Sequence, residues 1–172
     1  YGFDYAEHIS EGNLEYFPAA LEHHNIEYTI KGAVDFLDLV PENKPFFLWA
    51  AFTTTHGPHE PIDSGDVRNT PEGYSEDHLG LMPDRSQYID NTKQWRSIVK
   101  ETVLWMDGGI GVILDKLEEK GELDNTLIVF LSDQQNAGKA SPYERGANIP
   151  FIARWPEVID AGTSCETLVD VT

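Results

Sequence analysis

Two short, uninterrupted apolar runs constrain this chain most. Phe46 to Phe52 reads FFLWAAF and Leu127 to Leu131 reads LIVFL, each of strand length and each preceded by turn residues, PENKP and DN. Apolarity at every position means that both faces of the strand are covered, as in a parallel sheet packed between helices. Both runs end in polar clusters, TTTHGPHEP and SDQQN. In open α/β sheets ligands gather at the carboxyl ends of strands, so these clusters are where chemistry is expected.

The segments between the runs fit the same layering. From Asn25, the residues Ile26, Ile30, Ala33, Val34, Leu37 and Val40 recur at helical spacing, and Pro41 ends the pattern. A second helix is expected from about Asn91 to Lys120, with Ile98, Val99, Thr102, Val103, Met106, Ile110, Ile113, Leu114 and Leu117 inward and Gly121 as its cap. Gly108, Gly109 and Gly111 interrupt that helix, which calls for a kink or a close approach of helix to sheet. A third strand is expected in IPFIARW from Ile149, residues 1–25 read as irregular or a short hairpin, and Thr53–Ser86 reads as a long surface excursion. The fold class that results is α/β, a mostly parallel sheet flanked by helices.

Composition narrows the function. With 172 residues, 40% hydrophobic and 11% aromatic, the chain can build one core, and a single domain over 1–172 is expected. Thirty acids against 12 bases give a net charge of −18, which disfavours nucleic acid as a partner. No run reaches the roughly 18 apolar residues of a membrane span. The lone Cys165 excludes an internal disulfide and a cysteine metal cluster. Tyr1 in place of an initiator Met, and the closing CETLVDVT, read as a piece of a larger protein.

The first cluster brings His56 and His59 to a strand end, where imidazoles can hydrogen-bond an anion or act as a general acid; the same turn would also suit two solvated histidines. The second offers the Asp133 carboxylate with the amide oxygens of Gln134 and Asn136, hard donors suited to Ca²⁺ or Mg²⁺, and Lys139 follows with an ammonium for the same anion. A turn in which Asp133 caps backbone amides is the alternative. His23, His24 and His78 read as solvated, and Asp107, beside Met106, as a buried framework acid.

In order along the chain, KPFFLWAAFTTTHGPHEP, VLWMDGGIGVILDKLEEKGELDNTLIVFLSDQQ and GKASPYERGANIPFIARWPEVIDAG resemble the later blocks of type I sulfatases, members of the alkaline-phosphatase superfamily. The resemblance implies a partial alkaline-phosphatase-like catalytic domain that cleaves sulfate monoesters, with sulfated sugars as the preferred class and a periplasmic or extracellular location. It makes Asp133 and Gln134 ligands of Ca²⁺, ahead of Mg²⁺. Lys139 becomes the holder of sulfate oxygens and leaving group, His56 the histidine that protonates the departing alcohol, and His59 a substrate-binding residue.

Two departures stand out. Gln134 and Gln135 follow Asp133 where the family usually has Asn or His and then Gly, so the amide oxygen sits one methylene farther out. The family's paired metal-binding acids and its Cys/Ser-x-Pro-x-Arg segment, whose Cys or Ser becomes a formylglycine nucleophile, do not occur here; Cys165 precedes Glu166 and Thr167. Formylglycine is therefore expected from an upstream segment, and this chain alone is expected to be inactive. Other readings are a phosphomonoesterase, phosphodiesterase or phosphonate hydrolase of the superfamily, and a non-catalytic acidic metal-binding domain. Oligomeric state is not legible.

Overall fold

A computed structural model describes residues 2–9, 24–57, 59–77, 79–89, 97–135, 139 and 141–168. The chain divides into two compact units, Tyr1–Leu117 and Glu118–Thr172.

In the first unit, helix α1 spans Ile26–Leu39. Asn25 caps it, its Oδ1 accepting from the Tyr28 N–H at 3.0 Å. The helix stops where the sequence requires, because Val40 before Pro41 takes an extended conformation (φ −66°, ψ 118°). Ile26, Ile30, Ala33, Val34 and Leu37 form the expected buried stripe.

The long excursion that follows contains a small antiparallel hairpin among its described residues, β1 (Asn69–Thr70) with β2 (Gly73–Tyr74). Gly73 turns it with φ +117°, a conformation open to glycine. After a 3-10 turn at Arg85–Tyr88, helix α2 runs continuously over Ile98–Glu119, and Gly121 leaves it at φ +71°.

The inward face of α2 is rotated from the expected one. Glu101, Thr102, Trp105, Gly109, Ile113 and Leu117 are buried, whereas Val99 and Val103 are exposed. Gly109 explains the rotation: a Cβ there would lie 2.8 Å from Ile26 Cγ2 and 3.0 Å from Ile30 Cγ1, so the missing side chain admits α1. The close approach foreseen at the glycines is thus between two helices rather than between helix and sheet.

FFLWAAF forms no ladder among the described residues, contrary to the expected central parallel strand. Exposure alternates along it, and the Phe46 ring meets Phe36 of α1 edge-on at 6.3 Å. Phe47 and Trp49 remain 66% and 69% exposed, so one face is covered and not two. Residues 2–9 are irregular, as expected, and Phe3 stacks on Phe47 at 6.0 Å.

In the second unit, β3 (Ile128–Leu131) pairs with β4 (Phe151–Arg154), in register from Ile128 opposite Arg154 to Leu131 opposite Phe151. Both strands were legible, but their pairing is antiparallel, as is every ladder among the described residues. Arg154 secures the loop before β3, donating to the Leu123 carbonyl at 2.8 Å and to Asp124 Oδ1 at 2.6 Å. A single helical turn, α3 (Glu144–Ala147), precedes β4.

Candidate functional site

His56 lies in a turn closed by its own N–H, which donates to the Thr53 carbonyl at 3.0 Å. Its imidazole is exposed, and Nδ1 lies 2.6 Å from the Gly57 carbonyl. A carbonyl only accepts, so Nδ1 carries the proton of this contact. His59 is brought alongside: a Cβ on Gly57 would meet the His59 ring at 3.8 Å. The two histidines singled out by sequence therefore share one exposed turn.

The second cluster emerges from the end of β3. Asp133 is exposed, and its Oδ1 accepts the Gln134 N–H at 2.8 Å. Ser132 closes the turn by donating to the Gln134 carbonyl at 2.9 Å. Gln135 is tied to the segment around α3: its side-chain amide donates to the Asn148 carbonyl and its N–H to the Gly146 carbonyl. Asp133 thus does cap a backbone amide through Oδ1. An Asp133 carboxylate and a Gln134 amide would both be hard oxygen donors, the kind that suits a divalent ion of the Ca²⁺ type. No group of three His, Cys, Asp or Glu side chains gathers to hold a metal among the described residues. Lys139 is exposed, and Asn136 lies outside the described residues.

The secondary candidates fare differently. Asp107 is exposed on α2, because the rotation that buries Trp105 and Gly109 turns it outward; it is not the buried acid expected. His24 is 6% exposed rather than solvated, and its Nδ1 is hydrogen-bonded to Thr53 Oγ1 at 2.8 Å. His23 and His78 lie outside the described residues.

Sequence reasoning missed a buried charged cluster at the N-terminus of α1. Glu27 receives Arg85 through Nε and Nη2, both at 2.9 Å, and Trp105 Nε1 donates to the same carboxylate at 3.0 Å. The guanidinium also lies 4.6 Å from the Trp105 ring centroid and donates to the Ile62 carbonyl at 3.3 Å. Tyr88, whose 3-10 turn begins at Arg85, has its phenol pKa raised by burial first and by the Glu27 carboxylate second. An acid in the first turn of a helix was the only available signal, and such acids ordinarily face solvent.

Comparison with known proteins decides the family. A profile of the sulfatases matches residues 4–170, nearly the whole chain. The chain belongs to the sulfatase family. That membership carries the alkaline-phosphatase-like α/β fold, of which helices and two small sheets are described here. An arylsulfatase from Hemicentrotus pulcherrimus is 28% identical over 154 residues, 80% of this chain and 23% of the relative. Human N-sulphoglucosamine sulphohydrolase is 29% identical over 159 residues, 76% of this chain and 30% of the relative. An N-acetylglucosamine-6-O-sulfatase from Bacteroides thetaiotaomicron is 40% identical over 74 residues, 39% of this chain and 13% of the relative. This sulfatase chain spans less than a third of the length of each of these relatives.

Proposed function

We propose that this chain supplies the anion-gripping and proton-donating part of a sulfuric ester hydrolase. The observation that carries the reading is the family match over residues 4–170. The local chemistry of the two clusters supports it.

A sulfate monoester bears charge on its nonbridging oxygens and develops more on the leaving oxygen as the ester bond breaks. Lys139 would neutralise the former. His56 would serve the latter: with Nδ1–H held by the Gly57 carbonyl, a proton on Nε2 would pass to the departing alcohol oxygen and leave a neutral imidazole. His59, next to Gly57, would hydrogen-bond the bound ester. Asp133 and Gln134 would hold Ca²⁺, in preference to Mg²⁺, whose octahedral demand is less tolerant of a long, flexible amide ligand. The ion would supply fixed positive charge against the sulfate oxygens. The nucleophile, a formylglycine, would come from a segment upstream of Tyr1, so that this chain alone would not turn over.

Sulfated sugars are the favoured substrate class, since two of the relatives are named for sulfated glucosamine derivatives. A periplasmic or extracellular site of action follows from the resemblance, and no helix among the described residues is long and apolar enough to cross a membrane. The acidic balance of −18 argues against a nucleic-acid partner.

The test is hydrolysis of p-nitrophenyl sulfate and a 6-O-sulfated glucosamine by the full-length protein. His56→Ala and Lys139→Ala are each expected to lower turnover on the sugar sulfate by about 10²–10³ without changing the melting temperature. Wild-type rates in both variants would overturn the assignment of these residues. Faster hydrolysis of p-nitrophenyl phosphate than of the sulfate would move the protein to the phosphomonoesterase branch.

A further inference from the structure

His24 and Asn25 adjoin α1, yet most of their side-chain bonds leave the helix. His24 Nδ1 is bonded to Thr53 Oγ1 at 2.8 Å, and the Thr53 carbonyl in turn receives the His56 N–H at 3.0 Å. Asn25 uses Oδ1 to cap α1 and both protons of Nδ2 on a later stretch of the same excursion, donating to the Val67 carbonyl at 2.9 Å and the Asn69 carbonyl at 2.6 Å. Both residues are buried, at 6% and 3% exposure. Between these points, Arg85 holds the Ile62 carbonyl while paired with Glu27. The first half of the polar excursion is therefore fastened to residues 24–27 at Thr53, at Val67 and Asn69 and, through Arg85, at Ile62.

A histidine in an exposed turn has no intrinsic reason to hold one position. Ordering such a loop costs conformational entropy, and part-buried hydrogen bonds on either side of the turn offset that cost where the loop must present a side chain in a fixed place. We infer that His24 and Asn25 are positioning residues for His56: through Thr53 and through the Val67–Asn69 anchor, the N-terminus of α1 holds the turn that presents the His56 imidazole. The inference rests on the role proposed for His56, but its structural content is tested independently of that role.

Two measurements on the full-length protein test it. The first is NMR of the His56 ring nitrogens. In the wild type, Nδ1 is expected to remain protonated in the neutral ring, held by Gly57. In Thr53→Val, which removes the hydroxyl at nearly constant shape, and in His24→Ala, the two neutral tautomers are expected to mix. Thr53→Ser is expected to restore the wild-type spectrum. The second compares a poor leaving group, the sugar sulfate, with p-nitrophenyl sulfate, whose leaving group needs little help from an acid. Thr53→Val and His24→Ala are expected to lower kcat on the sugar sulfate on the order of 10-fold to 10²-fold with KM little changed, and to spare p-nitrophenyl sulfate. The double variant should be no worse than the worse single one.

Wild-type His56 resonances in folded Thr53→Val overturn the inference. So does equal loss on both substrates, the mark of general damage. If His56→Ala itself leaves the sugar-sulfate rate intact, the proposed catalytic role fails and the ring-nitrogen spectra alone decide the positioning.

Discussion

Glu27 is the residue where a local reading and the folded protein differ most. Its side chain and that of Arg85 are each only 5% exposed, and they meet in a two-point contact that Trp105 completes from the other side. Taking both charges out of water is costly, and the attraction between them repays it only because every carboxylate oxygen is engaged. Removing one partner leaves the other charged and dry. Glu27→Ala and Arg85→Met are each expected to lose about 3–5 kcal/mol of stability in urea unfolding, and the double variant clearly less than the sum. Additive losses below about 1 kcal/mol would show that the pair is solvated after all. Nothing near Glu27 in sequence announces this pairing, because Arg85 and Trp105 lie 58 and 78 residues away. His24 escaped for the same reason: what buries it is Thr53, 29 residues on.

At the scale of elements, apolar spacing revealed where both long helices and the strands β3 and β4 lie, but it failed at FFLWAAF and on what the elements face. The stripe of α1 was legible because its buried aliphatic positions Ile26, Ile30, Ala33, Val34 and Leu37 repeat at helical spacing. For α2 the stripe was misjudged, since the contact that orients the helix is made by a residue without a side chain. Gly109 and Gly111 separate the two roles a helical glycine can have. A Cβ at Gly109 meets Ile26 and Ile30 at 2.8 Å and 3.0 Å, whereas one at Gly111 meets nothing within 4 Å. Alanine gains up to about 1 kcal/mol over glycine in a helix interior, while overfilling a packed contact costs about 1–3 kcal/mol. Gly111→Ala is therefore expected to raise the urea midpoint and Gly109→Ala to lower it; shifts of the same sign would remove the contact as the cause of the α2 orientation. The strands carry a parallel lesson. Of the runs Phe46–Phe52 and Leu127–Leu131 only the second holds a strand among the described residues, and which segment pairs with a strand, and in which direction, is not written in its apolarity.

At the scale of the whole molecule, the net charge of −18 sets two different responses to cations, and they can be told apart. Crowded carboxylates repel one another in the compact state, and salt screens that repulsion as the Debye length falls from about 30 Å at 0.01 M to about 8 Å at 0.15 M. The melting temperature is accordingly expected to rise with NaCl over this range, with no single residue responsible. A specific ion adds to this by mass action: Ca²⁺ at 100 times its dissociation constant stabilises the folded state by about 2.7 kcal/mol. In a full-length protein at fixed NaCl, added CaCl₂ is expected to raise the melting temperature further and to saturate. Asp133→Asn should abolish that saturating increment while leaving the NaCl response intact, because one charge among thirty acids barely alters the general field. An increment that survives Asp133→Asn, or that never saturates, would assign the calcium effect to the acidic surface and take the metal away from the end of β3.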